Sequence, residues 1–210
     1  MFDLDGTITR SDTLRGYLTG FLRRHPARLV RLPQGLAALA RFALDADHGR
    51  LKAAWIDAVL GGCTRSELAE WTASFVPELL QHGLHRDALT AIAVHHEAGD
   101  HLVLLSASPD LYVPAIGAAL RFAQTVCTEL EWRADRLTGR LTTANRRGAE
   151  KVRCVAALRA EHPQLPIVAY GNAASDLAYL ALADRGVLVN GSPLTRRAAA
   201  GSGIACVTWR

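Results

Sequence analysis

From Leu84 onward, short apolar runs alternate with helical stretches, and this alternation restricts the fold more than any other feature of the chain. The runs are His101–Leu105, Pro166–Tyr170, Gly186–Asn190 and a last one within Gly203–Trp209. Helices are expected near Pro109–Leu120, Gly148–Glu161 and Ser175–Leu182. A strand that reaches its neighbour through a helix returns in the same direction, so the pattern predicts a parallel sheet covered on both faces. Thr125–Glu131 and Arg136–Thr142 read as paired strands around Ala134-Asp135. Phe2-Asp3-Leu4 reads as one more strand of the sheet, although a long helical block separates it from the others.

That block, residues 13–82, has helical periodicity throughout. It holds candidate helices at Leu29–Leu44, interrupted by Pro33, at Leu51–Leu60, and at Arg65–Leu80. Thr64 and Glu67 have the spacing of a capping box for the last of these. We therefore expect a core of residues 1–12 and 83–210, with an all-helical cap of residues 13–82 inserted after the first strand. Trp55 and Trp71 sit at helical positions in the cap and read as packing residues. His95 and His96, near a helix end, read as a solvated face or as cations at the helix C-terminus.

Composition decides the broad class. Half of the residues are hydrophobic and 21% are charged, enough to bury a core and too apolar for disorder. No apolar run approaches the ~18 residues of a membrane span. The four cysteines lie far apart and form no metal-ligand cluster, which predicts reduced thiols and a cytoplasmic location. The net charge of +4 is unevenly spread, with six arginines and no acid between Thr13 and Leu44. This segment is either a solvated helix face or a surface that attracts an anionic substrate or the anionic inner face of a membrane. No DNA-binding motif accompanies it, and nucleic acid is not an expected partner.

Four polar clusters fall at strand ends or helix starts, where an open parallel sheet places its ligands. They are Asp3-Leu4-Asp5-Gly6-Thr7, Ser106-Ala107-Ser108, Lys151, and Gly171-Asn172-Ala173-Ala174-Ser175-Asp176. Each alone has a plain structural explanation; the four together suit hydrolysis of a phosphate monoester. Asp3 and Asp5 share one side of an extended chain, so one can attack phosphorus while the other protonates the leaving oxygen. Two adjacent carboxylates beside a phosphate call for Mg²⁺, a hard cation that retains several waters. Gly6 permits a tight turn whose N–H groups hold phosphate oxygens, and Ser106 and Lys151 supply further donors.

Asp3-Leu4-Asp5-Gly6-Thr7 resembles the first motif, DxDGT, of the haloacid dehalogenase superfamily. Ser106, Lys151 and Gly171–Asp176 are similar to its second, third and fourth motifs, in order, and the insertion point matches the phosphoserine-phosphatase-like branch. The resemblance implies a Rossmann-like α/β core with a helical cap. It makes Asp3 the nucleophile and Asp5 the general acid/base. Thr7, Ser106, Ala107 and Lys151 become contacts to phosphate or nucleophile. The Asp3 carboxylate, the Asp5 carbonyl and Asn172 become metal ligands, with Asp176 supporting the metal shell. Asn172 stands where the family pattern has Asp, which predicts weaker magnesium binding.

Within the branch, Ser106–Asp110, the Thr128-Glu129…Thr138–Leu141 segment, Asn145–Lys151 and Val207–Arg210 resemble small bacterial members that include phosphatidylglycerophosphate phosphatases. Asp12 matches an acid that grips a substrate amino group. The implied substrate is therefore a lipid phosphate or a small amino-alcohol or amino-acid phosphate. Arg146 and Arg147 read either as rim residues of the site or as ordinary surface cations. Two alternatives stay open: phosphoryl transfer to an alcohol, and a binding or membrane-surface module with weakened catalysis. A nucleophile at the third residue leaves little central strand, so we expect the natural start to lie upstream of Met1.

Overall fold

The computed structural model describes residues 1–210, the side chain of Gln34 excepted. Helices α1 (Thr13–Arg24), α2 (Leu32–Asp45), α3 (His48–Leu60), α4 (Arg65–His82) and α5 (Arg86–Glu97) come first. Next are β1 (Val103–Pro109), α6 (Val113–Ala119), β2 (Gln124–Thr128), β3 (Leu130–Arg133) and β4 (Arg136–Leu141). The chain closes with α7 (Ala149–Glu161), β5 (Val168–Gly171), α8 (Leu177–Leu180), β6 (Arg185–Val189), α9 (Pro193–Ala200) and β7 (Ala205–Val207).

β1 pairs with β2, and β5, β6 and β7 pair in that order, all parallel. The two groups are joined by the N-terminal residues. Phe2 bridges Leu104 of β1 on one side and Tyr170 of β5 on the other. Phe2 N–H donates to the Val103 carbonyl (2.8 Å), Leu105 N–H to Phe2 (2.8 Å), Asp3 N–H to Tyr170 (3.0 Å) and Tyr170 N–H to Met1 (3.0 Å). The result is one parallel sheet with the chain start at its centre, the expected α/β core.

The expected first strand is shorter than Phe2–Leu4, because the Leu4 carbonyl accepts N–H groups from Thr7, Ile8 and Thr9 and curls the chain at once. The expected helix Leu29–Leu44 divides into a 3₁₀ turn, Pro26–Arg31, and α2, which starts at Leu32. Pro33 lies in the first turn of α2, where a missing N–H is harmless. The expected strand Thr125–Glu131 also divides. Its first half joins the main sheet as β2, and its second half becomes β3, antiparallel to β4. The capping box forms as read: Glu67 N–H donates to Thr64 Oγ1, and Thr64 N–H donates to Glu67 Oε2 at 2.7 Å.

Aromatic packing fuses cap to core. Tyr17 of α1 lies 4.7 Å, centroid to centroid, from Tyr112 before α6, and both are fully buried. Trp71 packs beside Tyr17, and Trp55 covers the Gly35 backbone. His95 is not the solvated residue read from sequence. It is half-buried, and its ring nitrogens meet Asp100 (2.6 Å) and the Tyr170 hydroxyl (2.9 Å). His96, also half-buried, faces the Leu120 carbonyl.

The β3–β4 hairpin packs against the cap. Gly62 N–H donates to Leu137, and Leu137 N–H to Cys63. Gly139, at φ +78°, leaves room for α3: a Cβ there would stand 2.6 Å from the Asp57 Cα. Backbone cannot yield as a flexible side chain can, and the left-handed conformation adds strain. Gly139→Ala should therefore lower unfolding free energy by at least about 2 kcal/mol. Urea titration measures this, and an unchanged midpoint would mean that the hairpin is free of α3.

Candidate active site

The curl after Asp3 sets the geometry of the site. Gly6 is held at φ +76°, and a Cβ on it would lie 2.0 Å from Asn172 Nδ2, so no side chain fits. Thr7, fully buried, donates its hydroxyl to Asp3 Oδ2 at 3.1 Å. Lys151, in the first turn of α7, donates to Asp3 Oδ1 (2.6 Å) and to Asp176 Oδ1 (2.9 Å). The second Asp176 oxygen accepts N–H groups from Asn172 (3.1 Å) and Ala173 (3.0 Å), which fixes the loop after β5.

All three charged side chains are buried, at 4% exposure for Lys151, 7% for Asp3 and 3% for Asp176. Burial alone would lower the lysine pKa, but Asp3 and Asp176 outweigh it, so the net shift is upward and the ammonium stays charged. Two carboxylates share one ammonium. Burial, reinforced by Asp176 and Asp5, accordingly raises Asp3 to about 6.

Asp5 is held differently. Its Oδ1 accepts from Thr13 N–H (2.6 Å) and Thr13 Oγ1 (2.7 Å), and its Oδ2 from Ser108 Oγ (2.6 Å). Thr13 Oγ1 also lies 3.0 Å from the Tyr112 hydroxyl, which ties the site to the aromatic cluster between cap and core. Burial outweighs these hydrogen bonds and raises the Asp5 pKa, favouring a carboxyl group that can give up a proton.

These groups open onto a cleft of ≈ 440 Å³ between core and cap. Asp3, Asp5, Gly6, Ala107, Lys151, Asn172 and Asp176 line it. Ser106 and Thr7 do not; both are fully buried behind the wall. Ser106 Oγ accepts from Ser108 N–H at 3.0 Å, and the hydroxyl that faces the cleft is that of Ser108. Arg147 reaches the cleft, whereas Arg146 pairs with Glu150.

Sequence reasoning missed Ser108, Thr13 and Lys52. Thr13 carries no signal in sequence. Ser108 lies two residues from Ser106 and was hidden by it. Lys52, on cap helix α3, crosses the cleft to the Ala107 carbonyl and Asn145 Oδ1. Its burial lowers its pKa to about 8. A signal for it does exist: the chain has 22 arginines and only two lysines, Lys52 and Lys151, and both line this cleft.

Among the described residues, no three His, Cys, Asp or Glu side chains form a metal-ligand group. The cleft does offer oxygen donors of another kind, the Asp3 carboxylate and the Asn172 amide, beside a buried carboxylate excess that one ammonium leaves uncompensated. Hard oxygen donors with room for waters fit Mg²⁺.

The family model described as haloacid dehalogenase-like hydrolase matches residues 1–181. The chain belongs to that family. Protein CicA of Caulobacter vibrioides is 29% identical over 184 residues, covering 87% of this chain and 82% of CicA. A Bordetella pertussis structure of a protein with unknown function superposes with a TM-score of 0.82 at 24% identity, over 98% of this chain and 96% of that one. A probable phosphoserine phosphatase from Vibrio cholerae superposes with a TM-score of 0.71 at 16% identity, over 98% of this chain and 59% of that one. These likenesses place the haloacid dehalogenase fold, with its helical cap, across almost the whole chain.

The raised Asp3 pKa has a measurable consequence. Asp3 binds its proton near pH 6 when folded and near its ordinary 3.8 when unfolded. Between those values the folded state holds more protons, so stability from this group falls as pH rises from about 4 to about 6. Asp3→Asn removes the effect. In chelator, the melting temperature of Asp3→Asn relative to wild type should rise across that window and stay level above it. A difference that ignores pH would rule out the shift.

Proposed function

We propose that this hydrolase is a magnesium-dependent phosphomonoesterase that works through an aspartyl-phosphate on Asp3. The observation that carries the reading is the buried Lys151–Asp3 pair at 2.6 Å, set beside an Asp5 carboxyl fixed by Thr13 and Ser108 on the same cleft wall. Thr7 and Lys151 orient the Asp3 carboxylate from opposite oxygens and keep its lone pairs directed into the cleft.

One Asp3 oxygen forms a bond to phosphorus as the ester P–O bond breaks. Asp5 gives its proton to the departing alkoxide, which leaves as the alcohol. Asp5, now a carboxylate, takes a proton from water as that water attacks phosphorus. The bond to Asp3 breaks, inorganic phosphate departs, and both side chains regain their starting states. The Ser108 and Thr13 hydrogen bonds stabilise the carboxylate form of Asp5 between the two steps. When bound, Mg²⁺ would be held by the Asp3 carboxylate, the Asp5 main-chain carbonyl and the Asn172 amide oxygen, with Asp176 behind them, and would offset charge on the phosphoryl oxygens. Gly6 and Ala107 present backbone to those oxygens.

The substrate we favour is a small amphoteric ester, an amino-acid or amino-alcohol phosphate. Asp12, Lys52 and Arg147 all line the cleft, so both signs of charge are available to a substrate beyond its phosphoryl group. A lipid phosphate is the second class to be screened. Residues 13–82 would act as the cap that excludes water during Asp3 attack. The four cysteines are all free, and we place the protein in the cytoplasm.

Asp3→Asn should reduce magnesium-dependent hydrolysis of p-nitrophenyl phosphate by at least about 10³-fold. Retained activity in the folded variant would remove Asp3 from the chemistry. Asn172→Asp should lower the magnesium concentration for half-maximal activity, because a carboxylate restores a formal charge to the site. A magnesium titration that does not move, or moves upward, places Asn172 outside the metal shell.

A further inference from the structure

The outer face of the cap presents apolar surface that nothing in the fold covers. On α2, Pro33, Leu36, Ala37, Ala40 and Leu44 follow the i, i+3, i+4, i+7, i+11 spacing of one helix face, and all five are exposed. Leu44 is 90% exposed and Leu36 57%, and the turn before the helix adds Val30 at 79%. The inner face of α2 is already used, because the Gly35 backbone rests against the Trp55 ring. Two exposed leucines joined by Pro33, Ala37 and Ala40 make one continuous apolar face, which marks a docking surface rather than scattered surface apolarity.

Charge selects the occupant. Residues 13–60 carry eight Lys and Arg against three Asp, while the rest of the chain carries sixteen against seventeen acids. Lys52 turns into the cleft, Arg31 pairs with Asp57 and Arg50 with Asp45 and Asp47, so the basic excess of the segment outside the cleft is carried by Arg15, Arg23, Arg24, Arg28 and Arg41. Arg23 and Arg41 are exposed and form no ion pair among the described residues. A second copy docked face to face would bring two basic segments together. A bilayer with anionic headgroups meets the leucines with acyl chains and the arginines with phosphate. We propose that the outward face of α2 and the turn before it form a peripheral docking surface for an anionic bilayer. This inference does not depend on the phosphatase reading.

The test is flotation of the intact protein with vesicles of phosphatidylcholine alone and of phosphatidylcholine mixed with phosphatidylglycerol. Binding to the mixed vesicles only, weakened by salt, is the expected result. The double substitution Leu36→Asp with Leu44→Asp should weaken that binding by at least about tenfold. The melting temperature and the hydrolysis of a soluble ester should both stay unchanged, since the two side chains are exposed. The proposal is overturned by absence of binding, by equal binding to both vesicle types, or by an unchanged double variant. Displacement by inorganic phosphate would also overturn it, because the headgroup would then be held in the cleft. So would a concentration-dependent dimer in sedimentation that the double variant dissolves, because the face would then belong to a second copy.

Discussion

Residues 1–3 form the rung on which the architecture depends. They pair on one side with β1 and on the other with β5, so a short segment at the chain start completes a sheet whose remaining strands all come from beyond residue 100. The ring of Phe2 stacks on Tyr170 at 4.4 Å and meets Phe122 edge-on at 5.7 Å, which seals the joint with apolar contact. Because parallel strands all end on the same edge, this insertion brings Asp3 and Asp5 beside the ends of β1 and β5. The candidate site is in that sense a consequence of sheet closure, and distant motifs meet because strand order obliges them to.

The site carries a deliberate imbalance. Lys151 satisfies one oxygen each of Asp3 and Asp176, yet one positive charge cannot neutralise two carboxylates with Asp5 nearby. Burying such a group destabilises the fold unless a cation is added. Under the proposed reading, the same imbalance would draw a cation into the cleft. Thr7 and Ser106 do not line the cleft and work from behind it, holding Asp3 and Ser108, while Tyr112 meets the Thr13 hydroxyl that in turn binds Asp5.

What was legible in sequence followed from periodicity and from local chemistry. The alternation after Leu84 gave the parallel sheet, and Thr64 with Glu67 gave the start of α4 correctly, since both signals act over a few residues. The division of Thr125–Glu131 was hidden because one unbroken segment serves two sheets, and only tertiary pairing decides where one strand ends. At the site, Asp3, Asp5, Lys151 and Asn172 stand in compact motifs and could be read directly. Ser108 and Thr13 were not readable, because both bind the Asp5 carboxylate: Ser108 does so from far along the chain, and Thr13 only because the chain curls back after Asp5. The histidine pair misled for a related reason: the helix end suggested exposure, and the approach of Tyr170 to His95 is visible only in three dimensions.

The β3–β4 hairpin lies in the core half of the sequence but leans on the helical half. Leu137 exchanges backbone hydrogen bonds with Gly62 and Cys63, Arg136 binds the Gly62 carbonyl, and the guanidinium of Arg65 lies 4.2 Å above the Trp132 ring. A swing of the helices away from the sheet would have to carry the hairpin along or tear it loose. Such a moving unit would be a composite of two sequence segments, joined onward through the stretch between Leu141 and Gly148 that leads into the helix of Lys151. Such a swing would thus pull on the helix that holds Lys151 against Asp3, coupling movement of the helices to the charge balance around that buried carboxylate.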